Sequence, residues 1–285
     1  MNQRERVALA LREVKTLPTL PDVAVRLLET SDDPNVSTRE IAAIVGGDMA
    51  LASRVLKLVN SPFFGMSREV TSVQQALVII GMANLRSMVL SSALVDLFDK
   101  EGAVGDFNRR EFWKHSVAVA IAARALAKHT RVVDTEIAFT AGLLHDMGKV
   151  VVDRYLHPEF VRIVELLEDE DVPMTEAEME VLGVNHAELG QHLAGRWNLP
   201  EILQEAVGFH HGPREATKHA PLAALVMTAD AIARRAGVGQ GGGADHPLYL
   251  SVLELCGLDL QKYDRIANDL SSVLEEQVTG FAREV

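Results

Sequence analysis

The sequence is short of cysteine, of positive charge and of long stretches free of charge. Cys256 is the lone cysteine among 285 residues. No intrachain disulfide can form, and the expected compartment is reducing and cytoplasmic. Lys and Arg number 28 against 40 Asp and Glu, a formal net charge of −12. A chain so acidic is repelled by phosphate backbones, which argues against nucleic acid as the main partner. It leaves room for a small phosphorylated ligand held in a local metal or basic pocket. No uncharged apolar run reaches the roughly 18 residues that suggest a membrane span. The opening Met1-Asn2-Gln3-Arg4-Glu5-Arg6 lacks the apolar core of a secretion signal. No membrane role is expected. Strict apolar–polar alternation is also missing, so strands are not expected. The glycine-rich Gly237–Gly243 is not a phosphate-binding loop, because no strand precedes it and no Gly-Lys-Ser/Thr follows.

What is present is helical period almost throughout, with 48% hydrophobic residues to build a core. The fold class is all-α. Arg6 to Val14 reads as a short amphipathic helix, stopped by Leu17-Pro18-Thr19-Leu20-Pro21. Pro21 opens a helix through Leu28. Ser37-Thr38-Arg39-Glu40 matches a capping box, Asp48 is a good N-cap for a helix to about Val59, and Ser72 with Gln75 forms another box. Gly81 interrupts before a helix from Asn84 to Phe98. The polar stretch Asp99–Asn108 is the best boundary, separating an N-terminal helical subdomain (1–100) from a second one (108–285). Longer helices follow: Glu111 to His129, Asp134 to Leu144, Glu159 to Glu168, Thr175 to Leu182, His186 to Trp197, Pro200 to Phe209 and Pro221 to Ala236. Two or three short helices end the chain.

Certain polar residues do not fit a plain helical core. His145-Asp146 ends an apolar run and is followed by Met147-Gly148-Lys149. His115, His186 and His210-His211 also fall on apolar faces or helix ends, and Asp230 lies in a run of Ala, Val and Leu. A lone buried carboxylate is costly without a partner. Imidazole nitrogen with carboxylate oxygen suits Zn, Mn or Fe. Taken singly, each residue has a plainer account: Asp230 pairs with Arg234 four residues on, and His210-His211 is a helix C-terminus favoured by the macrodipole. Taken together, they form a sequence of candidate ligands within one half of the chain.

The order His115, His145-Asp146, Asp230 resembles the ligand set of the HD superfamily of metal-dependent phosphohydrolases, and the added His186 and His210-His211 resemble the two-metal arrangement of the HD-GYP cyclic-dinucleotide phosphodiesterases. The surrounding text resembles another branch, the HDOD (HD-related output) domain, over about residues 10–235. It carries Leu17-Pro18-Thr19-Leu20-Pro21, the run Asp48 to Ser61, Ala76 to Gly81, Phe112-Trp113-Lys114-His115-Ser116, Gly142 to Lys149, and Trp197-Asn198-Leu199-Pro200 followed by His210-His211. Two departures stand out. Gly212-Pro213-Arg214-Glu215 replaces the Gly-Tyr-Pro motif of the HD-GYP enzymes, and Asp48-Met49 stands where Asp-Pro is usual.

The resemblance implies an HD-like multi-helix core packed against an N-terminal helical subdomain, and one or two divalent ions (Fe, Mn, Zn or Mg). The implied ligands are His115, His145, Asp146, His186, His210, His211 and Asp230, with Asp146 bridging. As a catalytic pair, Asp146 would hold the metals and Lys149 would neutralise charge on a phosphoryl group. Glu111, one turn before His115, would orient it or bind a further metal; a surface salt bridge is the simpler account. HDOD domains are generally regarded as bacterial signalling output or interaction modules without established catalysis. The expected function is therefore signal transduction, with a metal-dependent phosphohydrolase or phosphodiesterase acting on a nucleotide or cyclic dinucleotide as the alternative. The implied partners are a signalling protein or a small nucleotide ligand, with a homodimer left open. No receiver, GGDEF or EAL domain is recognised in the sequence, so the signal is expected to pass through separate molecules. Phe63-Phe64, near a Pro-Gly turn, reads either as a docking patch or as core filler. His129, His157, His192, His219 and His246 are expected to be solvated, Met147, Met174 and Met179 to be core, and Glu168-Asp169-Glu170-Asp171 to be a solvated helix end.

Overall fold

Helices begin where the sequence supplies caps. The computed structural model describes the chain except residues 1–2, 13, 15–16, 32–35, 62–63, 65, 67, 99–102, 106, 240–247 and 283–285. After α1 (Gln3–Ala10) and α2 (Asp22–Ser31), Ser37 and Glu40 make the expected reciprocal box and start α3 (Thr38–Gly46). The Asp48 carboxylate accepts from Leu51 N at 3.0 Å and starts α4 (Met49–Asn60). Asn60 then clamps the chain that follows: its amide donates to Val70 O and its oxygen accepts from Val70 N, each at 2.8 Å. Ser72 accepts from Gln75 N, while the Gln75 side chain reaches Thr71 N. The helix so started, α5 (Val73–Phe98), is broken at Gly81, which takes φ 80 and ψ 170. The window Val73–Leu90 is, among the described residues, the one long and apolar enough to cross a membrane; 44% of it is buried inside the protein.

A small antiparallel hairpin follows, which the sequence pattern did not foresee. It joins β1 (Ala103–Val104) to β2 (Phe107–Asn108), with Val104 opposite Phe107. Strands this short cannot show alternation. Phe107 anchors the hairpin instead, its ring 5.3 Å from Phe112 and 4.9 Å from Phe160, the latter edge-on.

The remaining helices are α6 (Arg109–Thr130), α7 (Thr135–Leu144), α8 (Met147–Tyr155), α9 (His157–Asp169), α10 (Met174–Leu182), α11 (His186–Arg196), α12 (Glu201–Phe209), α13 (Ala220–Arg235), α14 (Leu250–Leu255), α15 (Leu260–Ser271) and α16 (Leu274–Ala282), with a 3-10 turn at Pro213–Glu215. One of these, α8, was not expected. Val150, Val151 and Val152 are poor helix formers and Gly148 is worse. Packing overrides propensity here, since Met147 to Val152 are all buried.

The chain divides into two compact units. One is Thr19–Asp99 with Glu276–Val285, and the other is Met1–Pro18 with Lys100–Glu275. The change at Asp99–Lys100 falls in the polar stretch, but the terminal segments are exchanged relative to the expected 1–100 and 108–285. Residues 1–18 stay with the later unit because Arg6 pairs with Glu188 and the Trp197 indole donates to Pro18 O at 2.9 Å. Within that unit α6 packs on α7 and α13, and α11 on α8 and α12. Val117 to Ala123 of α6 and Leu222 to Val226 of α13 are almost wholly enclosed.

Candidate metal centre

Two helix C-termini are built alike. His145 ends α7 and His210 ends α12. Each lies 2.7 Å through Nδ1 from a backbone carbonyl three residues back, Gly142 O and Val207 O. A carbonyl only accepts, so Nδ1 carries the proton and Nε2 turns its lone pair away from the helix. A carbonyl left over at each helix end is thereby satisfied. The negative ends of two helix dipoles also face the same spot, which favours a cation there.

Asp146 follows His145 and links the donors. Its Oδ2 lies 3.3 Å from His145 Nε2, and its Oδ1 lies 3.0 Å from His186 Nε2 and 3.6 Å from His210 Nε2. His211 Nε2 lies 2.9 Å from His186 Nε2. One group, Asp146, His186, His210 and His211, offers ligand atoms all within 4.8 Å of one another; a second does so with His115, His145 and Asp146. The rings crowd together, with His210 and His211 centroids 4.0 Å apart and those of His145 and His210 5.0 Å apart.

Close backbone approach allows this. A Cβ on Gly148 would stand 1.9 Å from His186 O and 2.8 Å from Gly190 N. Only glycine lets the first turn of α8 touch the start of α11, which carries His186 to Asp146. Gly239, at φ 73, passes against α6, where a Cβ would stand 2.4 Å from both Glu111 O and His115 N.

Asp230 joins the centre through His115, whose Nε2 lies 2.9 Å from its Oδ1. It also holds Arg234, with Nε 3.1 and 3.2 Å from its two oxygens, so the simpler pairing open in the sequence is made as well. Burial opposes it, but Arg234 and His115 hold the Asp230 carboxyl well below the usual range. Burial opposes ionisation of Asp146 too, yet His145, Lys149 and His186 hold it far below that range. Burial pushes His210 down to about 4, and also lowers His115 against the pull of Asp230. Both imidazoles are neutral near pH 7, the form that binds a metal. For His186, burial works downward but is outweighed by Glu178, and the group is raised.

The residue set fits a divalent cation. Among the described residues, Asp146 Oδ1 and His210 Nε2 are buried and lack a hydrogen bond of proper alignment, although Asp146 Oδ1 lies 3.0 Å from His186 Nε2 and 3.6 Å from His210 Nε2. Facing lone pairs without donors are what a shared cation satisfies.

Lys149, expected to face a phosphoryl group, is enclosed and donates to Asp146 Oδ2 at 2.7 Å. Glu111 pairs with Lys114 at 2.6 Å on a half-exposed face, away from a ligand role. His157 is exposed, as are His129 and His192, and His219 is half-buried; His246 lies outside the described residues. Met147 and Met174 are buried and Met179 is exposed. Phe64 is half-buried, and Phe63 lies outside the described residues. The sequence reading missed Glu178, which is fully enclosed with Oε2 2.7 Å from His186 Nδ1. Its signal was faint but present: Met174, Ala177, Glu178 and Val181 form one stripe of a helix, and Glu176 and Glu180 do not.

Comparison with known proteins gives the wider setting. The model of one family, the HDOD domain, matches residues 17–213. The crystal structure of an HDOD domain protein of unknown function from Geobacter sulfurreducens is 29% identical, with a TM-score of 0.84, covering 100% of this chain and 99% of that one. A protein from Shewanella amazonensis, provisionally named a phosphohydrolase, is 27% identical with a TM-score of 0.77, covering 97% and 98%. A ribonuclease Y from Levilactobacillus brevis is 31% identical over 60% of this chain and 25% of its own length. The chain spans less than half the length of the curated relatives it matches.

Proposed function

This chain belongs to the HDOD domain family, and from that premise we propose that it is a bacterial signal-transduction module built on a metal-holding helical core. The observation that carries this reading is the state of the centre: its donors converge, yet Asp146 and every proposed ligand but His211 are no more than 7% exposed. A hydrolase active on a bulky phosphodiester needs open space before its metal. Here Lys149 is turned onto Asp146, and the Gly-Tyr-Pro motif is missing. In this reading the metal fixes the later unit, and the module works in the cytoplasm, where the lone Cys256 stays reduced. Its partner is another signalling protein or a small nucleotide. A homodimer is compatible with this role, whereas nucleic acid and membrane are not its targets.

Hydrolysis is the second reading, favoured by the complete His-Asp set and by the similarity to a protein provisionally named a phosphohydrolase. When bound, a metal pair supplies hydroxide at neutral pH and a clamp for phosphoryl oxygens. His115, His145, Asp146, His186, His210, His211 and Asp230 would hold it, and Lys149 would have to leave Asp146 to meet a phosphoryl oxygen.

Metal analysis of protein purified without chelator should find about one to two Fe, Mn, Zn or Mg ions per chain. A metal-free chain with every ligand intact would sink the centre. Metal-loaded protein should leave cyclic dinucleotides and simple phosphodiesters unhydrolysed. Turnover that is lost in His145→Ala and Asp146→Ala would establish the second reading.

A further inference from the structure

Glu178 sits in α10 with none of its surface exposed. Its Oε2 takes two bonds from one residue, the backbone N of His186 at 2.8 Å and His186 Nδ1 at 2.7 Å. Among the described residues its Oε1 has no hydrogen-bond partner. A carboxylate so enclosed is costly unless positive charge stands close by. Among the described residues Glu178 hydrogen-bonds to His186 alone, and the far side of that imidazole faces Asp146 and His211.

The neighbouring donors are supported differently. His145 and His210 rest Nδ1 on neutral backbone carbonyls. His186 rests on a full negative charge. A carboxylate behind a metal-bound imidazole fixes its tautomer and ring orientation and raises its basicity. The bond from the backbone N also ties the start of α11, and so the His186 main chain, to the same oxygen.

We propose that Glu178 is a positioning residue of the metal centre, which holds His186 in the tautomer that turns Nε2 toward Asp146 and His211 and strengthens that nitrogen as a donor. This rests on the metal-holding reading above. It assigns a resident divalent ion first to the group of Asp146, His186, His210 and His211, because that group has the extra charge behind it. The His115, His145 and Asp146 group fills second, since Asp230 is engaged by Arg234.

Cobalt(II) and zinc titrations of the full chain test this. Glu178→Gln keeps an acceptor oxygen for both bonds and removes the charge. Its thermal midpoint without metal should stay near wild type. Its affinity for the first cobalt should fall about 10-fold and that of Glu178→Ala about 100-fold, with the visible cobalt bands shifted. Wild-type affinity and an unaltered cobalt spectrum in Glu178→Gln would overturn the proposal, as would a loss of binding that only tracks a loss of fold. A wild-type chain that takes up no cobalt at all fails earlier, at the metal centre itself.

Discussion

Glu205 shows how one buried carboxylate holds the loop beyond the His210-His211 pair. It accepts from Thr217 Oγ1 at 2.5 Å, His219 N at 2.7 Å and Lys218 N at 3.0 Å. Burial opposes its ionisation, but these donors hold it below the usual carboxylate range. A depressed folded pKa stabilises the protein above the unfolded value and ceases to do so as pH falls through the folded one. Glu205→Gln is therefore expected to cost about 1–2 kcal/mol at pH 7. The gap to wild type should narrow once the solution is acid enough to protonate Glu205. Urea unfolding of both proteins across that range checks this, and a pH-independent gap would refute it. Most of the residues at the centre were legible because polar side chains on apolar helix faces are rare. Glu178 was not, because it sits among glutamates that differ only in which way the helix turns them. The ion pair of Lys149 with Asp146 was not legible either, since spacing puts two residues on one face without saying whether that face looks at a partner or at a site.

At the scale of elements, the centre depends on how closely two helices approach. Gly148 of α8 meets the His186 carbonyl of α11 with no room for a methyl group. Gly148→Ala should part these helices, lower stability by about 1–3 kcal/mol and pull His186 off Asp146. Metal stoichiometry should fall along with the thermal midpoint. Full metal loading in the variant would show that the two helices can separate without disturbing the ligands. Helix starts were readable at Ser37, Asp48, Ser72 and Asp134, where a side chain caps its own turn. What escaped reading was α8, whose valines and glycine argue locally against a helix that burial nonetheless imposes. The hairpin at Ala103–Asn108 escaped for a related reason, being held by Phe107 rather than by any pattern of its own.

At the scale of the whole chain, every proposed ligand lies in the unit formed by Met1–Pro18 and Lys100–Glu275. So do both tryptophans, Trp113 and Trp197. Tryptophan fluorescence thus follows the metal-holding unit alone, whereas far-ultraviolet circular dichroism follows all the helices. Zinc at about 100 times its dissociation constant should stabilise that unit by about 2.7 kcal/mol. The fluorescence midpoint in urea should move up by the matching amount; an unmoved midpoint would count against the ion. The all-α class was written in the sequence. The placement of residues 1–18 with the later unit was not, because it depends on contacts such as that of Pro18 with Trp197, far apart in the chain. Asp146 occupies the N-cap position of α8, but its backbone (φ −96, ψ 12) leaves the carboxylate without a capping bond to a backbone N–H of that helix, and it accepts from the Lys149 ammonium instead. The helix forgoes a cap worth about 1 kcal/mol. Selection for stability alone would not retain that arrangement, so in lineages released from the need for the centre, drift should erode Asp146 first while the surrounding core stays intact.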